Sequence, residues 1–408
     1  AQLCRIPPHD GGPQRGHRLG DLDVVEDSAI ACRDGRIAAV GTTEELRHQW
    51  WAPSEIDASG RVVCPGFVDP HTHAVWAGDR ADEFVQRVEG ATYQEIMASG
   101  GGIMSTVRAT RRASVGELVD QSRPRLDAML AQGTTTVEVK SGYGLSVADE
   151  LKTLDAMHCL DLSHPITVVP TFLGAHAVPA EWNDDPDGYV DLVVEEMLPA
   201  AADRFPAVPF CDVFCDEGAF TLEQSRRVLE RAQALGFDLK IHADEFAPLG
   251  GTALAVELGA VSADHLVCTT AEEIELLGQS ETVAVSLPGT PFGLAHHDYT
   301  PAEAILRAGG VLALASDCNP GTAWNVSMPF IIALACRYLH LTPAQALVAA
   351  TLNAAHAVGL GETLGSLEPG RQADLLILDL PDVHHLGYRF GSNPVGQVIK
   401  AGEVVVSD

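Results

Sequence analysis

The stretch CPGFVDPHTHAVWAGDR, residues 64–80, is the most informative part of the chain for both architecture and chemistry. Its apolar, strand-like run stops at Asp69, and His71 and His73 follow with a single residue between them. Because alternate residues of a strand point to the same face, we expect the two imidazoles to face one point. A lone histidine is more often a hydrogen-bonded core residue, but a pair at this spacing on a strand end is typical of a metal site.

The pattern of a strand that ends in polar residues recurs along the chain. Seven further β-branched runs have this form, and helix-like segments such as residues 146–160, 221–236 and 300–310 lie between them. Thr221 and Thr300 are expected as helix N-caps. Eight strands that alternate with helices predict an α/β fold, a (β/α)₈ TIM barrel. The seven runs are TTTVEVKSGYG (134–144), ITVVPTFLGAH (166–176), CDVFCDEGAF (211–220), DLKIHADE (238–245), SADHLV (262–267), TVAVSLPG (282–289) and VLALASDCNPG (311–321).

The two ends of the chain have a different character from this middle part. Residues 22–60 and 365–408 contain short strands with Gly-Arg and Gly-Glu turns, and neither segment is long enough for a stable domain of its own. We therefore expect both ends to pair into one small β-sandwich domain. The predicted limits are residues 1–62 and 363–408 for this domain and residues 63–362 for the barrel.

The composition restricts the partners and the compartment of the protein. The chain has 26 Lys and Arg against 56 Asp and Glu, which gives a net charge of −30. This charge argues against nucleic acid, whose phosphates need basic partners, and against an anionic membrane surface. No apolar run reaches membrane-spanning length, and the first residues lack the pattern of a signal peptide. The nine cysteines are scattered, several of them in apolar runs, so we expect a cytoplasmic protein with reduced thiols.

Polar side chains stand at the C-terminal ends of most predicted strands, the face at which TIM barrels build their sites. His242 adds a third imidazole and Asp317 a carboxylate, a ligand set that suits Zn²⁺ or iron and leaves a place for water. Glu245 could cap a helix or handle protons beside the metal, and His265 could be structural or meet a substrate carbonyl. Arg80 could clamp a carboxylate or form a surface ion pair. The full set of strand-end groups is His71 and His73, Tyr143, His176, His242 and Glu245, His265, and Asp317 with Asn319.

The chain resembles the imidazolonepropionase family of the amidohydrolase superfamily in six motifs: PGFVDPHTH, KSGYGL, PTFLGAHAVP, KIHADEF, SADHL and SDCNPGT. PGFVDPHTH alone indicates only an amidohydrolase, whereas KSGYGL, FLGAHAVP and CNPGT narrow the resemblance to this family. It covers the whole barrel and the closing GSLEPGRQADLLILD. It implies an amidohydrolase-type barrel and a hydrolase of histidine degradation that opens the ring of 4-imidazolone-5-propanoate to give N-formimidoyl-L-glutamate.

The resemblance also implies one Zn²⁺ or Fe³⁺ ion per subunit and a role for each site residue. Binuclear relatives carry a bridging lysine on strand four, which CDVFCDEGAF lacks, so a single metal ion is expected. His265 would be an additional catalytic histidine, and Asp317 and Glu245 would move protons. The implied metal ligands are His71, His73, His242 and Asp317. The implied substrate contacts are Arg80, Tyr143, His176, Glu245, Asn319, Gly321 and Thr322.

Two other interpretations are open at this point. A deaminase of the same superfamily, acting on a cytosine- or guanine-like base, would also suit His242 and Glu245 with Asp317. It would release ammonia and need no carboxylate clamp, so Arg80 favours the hydrolase. A non-enzymatic binding module that kept the barrel would usually have lost metal ligands, and here all four are present. We expect a homodimer that acts on a small-molecule substrate, with no nucleic acid or membrane partner.

Overall fold

The computed structural model describes residues 2–91 and 100–407. The strands of these residues are β1 (Gln2–Cys4), β2 (Val24–Glu26), β3 (Ser28–Arg33), β4 (Arg36–Thr42), β5 (Val62–Pro65), β6 (Phe67–Asp69), β7 (Thr134–Lys140), β8 (Thr167–Ala175), β9 (Phe210–Cys215), β10 (Asp238–Ala243), β11 (Ser262–His265), β12 (Val283–Ser286), β13 (Val311–Leu314), β14 (Leu375–Leu378), β15 (Val395–Lys400) and β16 (Glu403–Ser407).

The α-helices of the same residues are α1 (Thr43–Gln49), α2 (Ala81–Val88), α3 (Ile103–Arg112), α4 (Val115–Ala131), α5 (Val147–Ser163), α6 (Pro186–Leu192), α7 (Leu198–Arg204), α8 (Leu222–Ala234), α9 (Gly251–Leu258), α10 (Ala271–Gly278), α11 (Gly289–Gly293), α12 (Ala302–Ala308), α13 (Met328–Tyr338), α14 (Pro343–Ala349), α15 (Leu352–Ala357) and α16 (His384–Tyr388). A π-helical turn, Val193–Met197, joins α6 to α7. Among the described residues, we find no helix with the length and hydropathy of a membrane span.

Strands β6 to β13 form one sheet in chain order, and each strand is parallel to the next. The residues after the first and last strands close the sheet, because Thr72 pairs in parallel with Cys318. Here the His73 amide donates to the Cys318 carbonyl at 2.9 Å and the Asp317 amide donates to the His71 carbonyl at 3.1 Å. The predicted (β/α)₈ barrel is therefore confirmed. Its strands are buried on both faces, as helices on the outside of a parallel barrel require.

The two helix N-caps predicted from the sequence have different outcomes. Thr221 caps α8 in a capping box with Gln224, as predicted. The predicted cap at Thr300 is wrong, because α12 begins at Ala302 after Pro301. The Thr300 hydroxyl is buried in the barrel instead, where it accepts from Ser286 and donates to the His265 carbonyl at 2.7 Å.

The two chain ends meet in a second sheet of six strands, in the order β16-β15-β14-β5-β1-β2. The hairpin β3–β4 covers one face of it, and Ile37 of the hairpin packs with Leu3, Leu375 and Ile399 of the sheet. The predicted small β-domain built from both ends is thus confirmed. The chain passes from this sheet into the barrel at Gly66, where a side chain would collide with Thr135.

Lysine is rare in this chain, with four residues against 22 arginines, and each lysine is held in an ion pair. Lys140 and Lys240 are completely buried in the barrel. Lys400 lies 2.6 Å from Asp374 in the small domain and is nearly buried. Lys152, on α5, has the largest exposed fraction of the four side chains, and it too is paired with a carboxylate at 2.7 Å.

Candidate metal centre and active site

Three buried histidines meet at the C-terminal mouth of the barrel. The ligand nitrogens of His71, His73 and His242 all lie within 4.8 Å of one another. Nε2 of His242 is 3.4 Å from Nε2 of His73. Oδ1 of Asp317 lies 3.6 Å from Nε2 of His71 and 3.7 Å from Nε2 of His73. The four residues predicted as metal ligands therefore come together at one point.

The chemistry of this cluster fits a metal ion. Burial, and then the charges of Lys140 and the neighbouring histidines, lowers the pKa of His71 well below its ordinary value. Burial and the adjacent histidines lower the pKa of His73 in the same way. Neutral imidazole is the form that ligates a metal. Nε2 of His71 is buried and has no hydrogen-bond partner within the described residues. Three imidazole nitrogens and one carboxylate suit Zn²⁺ or iron.

The backbone of the His-x-His segment is fixed from both sides. The Lys140 amide donates to the Thr72 carbonyl at 2.8 Å, and the Thr72 hydroxyl donates to the Glu138 carbonyl at 2.6 Å. On the other side, Asp69 accepts the Ser316 amide at 3.0 Å. The segment thus extends β6 between β7 and the residues after β13, which explains why two histidines here point to one place.

Asp317 is held in a strained position by its neighbours. Its φ is +51°, a left-handed conformation that non-glycine residues adopt at a cost, and the Thr290 hydroxyl donates to its Oδ2. Burial raises the pKa of Asp317 to about 6, and the hydrogen bond from Thr290 opposes part of this rise. His265 shares the left-handed conformation with a φ of +77°. Backbone strain of this kind concentrates at functional sites.

Glu245 and His265 form a second pair of titratable groups beside the cluster. Oε2 of Glu245 lies 3.6 Å from Nδ1 of His265. Burial, and then the negative charges of Asp317 and Asp216, raises the pKa of Glu245 well above its ordinary value. The His265 ring is 5.3 Å from the rings of both His71 and His242. Its Nε2 is buried without a partner in the part of the chain that the structure describes.

Tyr143 and His176 line the same mouth. The His176 ring stacks on His73 with centroids 4.7 Å apart, and the Tyr143 ring lies 5.3 Å from His176. Nδ1 of His176 donates to the Gly142 carbonyl at 3.0 Å, and burial lowers the pKa of His176 to about 3. Burial and the Asp317 charge raise the pKa of the Tyr143 phenol. Both side chains therefore enter the site uncharged.

Arg80 lies against the loop that follows the last barrel strand. Its Nε donates to Glu83 at 2.7 Å, and its Nη1 stands 2.5 Å from the position that a Cβ on Gly321 would take. In this loop, the amides of Gly321 and Thr322 both donate to Oδ1 of Asn319 at 2.8 Å. Nδ2 of Asn319 donates to the Asp317 carbonyl and to the Thr322 hydroxyl. Asn319 therefore shapes the loop beside Asp317, and the amides of Gly321 and Thr322, two residues expected to contact the substrate, already donate to Asn319.

The sequence interpretation missed several polar residues around the histidines. Asp264 and Asp212 stand behind His71 and His242, and Lys140 lies between these carboxylates. The available signal was a charged residue inside an apolar strand, as in VEVK and CDVF. Thr290, by contrast, lies in the short helix α11 after β12, and the sequence there carries no comparable signal.

Sequence comparisons agree with this architecture. The amidohydrolase family model matches residues 62–405, and a model described as an imidazolonepropionase-like composite domain of bacteria matches residues 29–50. The chain is 58% identical over 409 residues to an imidazolonepropionase of Herpetosiphon aurantiacus, covering 99% of this chain and 96% of the relative. It is 54% identical over 401 residues to an imidazolonepropionase of Symbiobacterium thermophilum, covering 98% and 94%.

Solved structures share the fold at much lower identity. An adenosine deaminase of Xanthomonas campestris with zinc bound aligns with a TM-score of 0.73 at 22% identity, covering 100% of this chain and 91% of that one. A guanine deaminase of E. coli aligns with a TM-score of 0.75 at 15% identity, covering 100% and 98%. At these identities the structural likeness concerns the fold alone. From the sequence relatives and the family model together, the chain belongs to the amidohydrolase family and, among its members, to the imidazolonepropionases.

Proposed function

We propose that the protein hydrolyses 4-imidazolone-5-propanoate to N-formimidoyl-L-glutamate, a step of histidine degradation. One observation supports the proposal above all: three groups of residues meet at one mouth of the barrel. They are the histidine cluster, the pair Glu245 and His265, and Arg80 with the buried Tyr143. The imidazolonepropionases that align along nearly the whole chain support the same substrate.

We further propose that His71, His73, His242 and Asp317 hold one Zn²⁺ or Fe³⁺ ion per subunit. Such an ion, when bound, polarises a substrate carbonyl and lowers the pKa of a coordinated water toward neutrality. The short distances between the four side chains and the lowered pKa values of His71 and His73 support this ligand set. Metal analysis of protein purified without chelator distinguishes zinc from iron.

The substrate carries a propanoate group, and this chain offers it a guanidinium and a phenol. Arg80 would grip the carboxylate through its Nη atoms, since its Nε is already engaged by Glu83. Tyr143 would donate to the same carboxylate, because its raised pKa keeps the phenol protonated. His176, stacked on His73, would contact the ring edge. Gly321 and Thr322 would complete the rim of the site around Arg80.

Ring opening needs a group to take a proton and a group to give one. Asp317 would accept the proton of the attacking water as the water oxygen bonds to the ring carbonyl carbon. His265 would donate a hydrogen bond to the developing oxyanion. The proton would then reach the ring nitrogen from Asp317 or Glu245 as the C–N bond breaks. Burial and the neighbouring carboxylates raise the pKa of Glu245, so this carboxyl takes up a proton more readily than an ordinary glutamate.

The first test is an assay of the purified protein with freshly prepared 4-imidazolone-5-propanoate. We expect the ultraviolet absorbance of the ring to fall without ammonia release, and a chelator to abolish the reaction. Cytosine and guanine serve as parallel substrates with ammonia as the readout. Ammonia from either base, with no loss of imidazolone absorbance, would mean that the protein is a deaminase.

The substitution Asp317→Asn tests the assigned proton acceptor. It should reduce turnover to background while the circular dichroism spectrum stays that of the wild type, because Asn cannot take the proton. Metal content measured on the same samples separates loss of the ion from loss of the proton acceptor. Near-normal turnover in this variant would contradict the assignment.

Three further properties remain predictions. We propose a homodimer, a cytoplasmic location, and domain limits at residues 1–62, 63–362 and 363–408. Light scattering of the purified protein measures the first, cell fractionation the second, and limited proteolysis the third.

A further inference from the structure

A cluster of buried charges lies directly behind the metal-binding histidines. Its members are Glu138, Lys140, Asp212, Lys240 and Asp264, and none of their side chains has any exposed surface. Nζ of Lys140 lies 2.7 Å from Asp212, 2.8 Å from Glu138 and 3.6 Å from Asp264. One ammonium group therefore touches three carboxylates that come from three different barrel strands.

Two of these carboxylates face the far nitrogens of metal-binding histidines. Oδ2 of Asp264 lies 2.6 Å from Nδ1 of His71, and Oδ2 of Asp212 lies 3.0 Å from Nδ1 of His242. An imidazole that donates its Nδ1–H to a carboxylate presents the lone pair of Nε2 to a metal. Asp264 thus fixes the ring of His71 by a hydrogen bond. Asp212 accepts the His242 amide through Oδ1 at 3.2 Å and places Oδ2 beside Nδ1 of the same residue.

The carboxylates cannot hold these positions by themselves. Three buried negative charges at close range repel one another, and burial without compensation is costly for each. The same Asp212 oxygen that faces His242 is the one 2.7 Å from Lys140, and the same Asp264 oxygen that faces His71 is the one 3.6 Å from Lys140. Lys140 is therefore the shared contact of both.

We propose that Lys140 is a positioning residue for the metal site. Its ammonium group holds Asp212 and Asp264 where they orient His242 and His71, although it does not reach the metal itself. This inference rests on the proposed metal ligands and concerns how tightly they bind the ion. It goes beyond the hydrolytic reaction, because it applies in the absence of substrate.

The other buried lysines have different surroundings and provide contrasts. Lys240 donates to the carbonyls of Pro70 and Ala357, so it joins the end of β6 to α15. Lys400 pairs with Asp374 in the small domain and also lies buried. The substitution Lys400→Met is therefore a matched control that removes a buried lysine ion pair away from the metal site.

The test is the affinity for Zn²⁺ of metal-stripped protein, measured by competition with a chromophoric chelator. Lys140→Met should weaken zinc binding roughly 10- to 100-fold, the usual cost of losing an outer partner of a metal ligand. Lys400→Met should leave zinc affinity unchanged even if it lowers the thermal midpoint. An unchanged zinc affinity in Lys140→Met, or an equal loss in Lys400→Met, would overturn the proposal.

A double-mutant cycle separates positioning from general destabilisation. If Lys140 acts through Asp212, the variant Lys140→Met/Asp212→Asn should lose less zinc affinity than the sum of the two single losses. Simple additivity would count against the proposal. If Lys140→Met does not fold, Lys140→Met/Glu138→Gln removes one charge of each sign and carries the same expectation. A wild-type protein that binds no zinc would overturn the metal site together with this inference, whereas zinc binding unaffected by Lys140→Met would overturn the inference alone.

Discussion

At the scale of single residues, the contact between Arg80 and Gly321 shows how little space the substrate side of the site leaves. A Cβ on Gly321 would lie 2.5 Å from Nη1 of Arg80, and that atom is the end of a flexible side chain. Gly321→Ala should therefore displace the guanidinium rather than unfold the loop. We expect KM for the imidazolone to rise about tenfold, equivalent to about 1.4 kcal/mol of lost binding, with a nearly unchanged kcat and thermal midpoint.

Gly116→Ala is the control for this prediction. Gly116 is exposed on α4, and a Cβ there would meet no heavy atom within 4 Å among the described residues. It should leave KM unchanged and raise stability slightly, as alanine does in a helix. A normal KM in Gly321→Ala would show that Arg80 does not grip the substrate as proposed.

His356 gives a residue-scale prediction outside the site. Burial, and then the charge of Arg371, lowers the pKa of His356 to about 4, from about 6.5 in the unfolded chain. The unfolded chain therefore binds more protons between these values, and stability falls as the pH drops from about 6.5 towards 4. For this residue alone, the free energy of unfolding should fall by about 2–3 kcal/mol between pH 7 and pH 4.5.

Replacing this histidine isolates the effect. His356→Gln should reduce the difference in unfolding free energy between pH 7 and pH 4.5 by about that amount, measured by chemical denaturation in the presence of a chelator. His48→Gln is the control, because this histidine is exposed on α1. An unaltered pH dependence in His356→Gln would mean that the imidazole is not buried in its neutral form.

Spacing and strand position were sufficient to predict that His71, His73, His242 and Asp317 lie together, because strand ends of a parallel barrel meet at one face. They could not reveal that the amides of Gly321 and Thr322 would donate to Asn319. That arrangement depends on the turn that the loop adopts against Arg80. Thr290 was missed because its contact with Asp317 joins the short helix α11 to the residues after β13, which only the folded barrel brings together.

At the scale of elements, the loop after β7 carries Tyr143 and is held by one buried carboxylate. Glu150, on α5, accepts the amides of Gly142, Gly144 and Leu145 at 2.7–3.0 Å. From the other side, Arg111 donates to the carbonyls of Gly144 and Leu145. The helix therefore fixes the loop, which in turn receives Nδ1 of His176 at the Gly142 carbonyl.

Glu150→Gln should disturb this loop, because the amide group of glutamine places a donor against backbone donors. We expect kcat/KM to fall about 10- to 100-fold through misplacement of Tyr143 and His176, while the zinc content stays that of the wild type. Asp155→Asn, further along the same helix, should have little effect on kcat/KM, because this carboxylate pairs with Arg204. Equal losses in both variants would contradict a specific role for Glu150.

The elements themselves were largely predictable from sequence, because each barrel strand is a short apolar run bounded by polar residues. The cap at Thr300 was mispredicted because a threonine before a helical pattern usually caps it, but here its hydroxyl is used by Ser286 and His265. Tertiary contacts across the barrel thus overrode the local preference of this residue. The local sequence gives no sign that other residues of the barrel will bind this hydroxyl.

At the scale of the whole molecule, the net charge of −30 should make stability depend on salt. Uniform charge destabilises a compact state through self-repulsion, and the screening length falls from about 30 Å at 0.01 M salt to about 3 Å at 1 M. The thermal midpoint should therefore rise by a few degrees over this range of NaCl. KCl should give the same curve against ionic strength, and a flat or falling midpoint would show that repulsion is unimportant.

Sequence also predicted how the molecule is assembled, because the ends differ in pattern from the middle. What it could not give is the pairing between distant parts, such as the closure of the barrel by Thr72 and Cys318. The contacts among the buried charged residues were unpredictable for the same reason. Each was visible as an isolated charge in an apolar strand, but their mutual neutralisation depends on the closed barrel.

The scarcity and burial of lysine described above also determine how this protein can be handled. Three of the four amines are enclosed in ion pairs, and only Lys152 offers a partly accessible side chain. Amine-directed dyes, cross-linkers and activated resins will therefore find almost no lysine to react with on the folded protein. Carboxyl-directed coupling has many attachment points, and trypsin will cut the unfolded chain almost entirely after arginine.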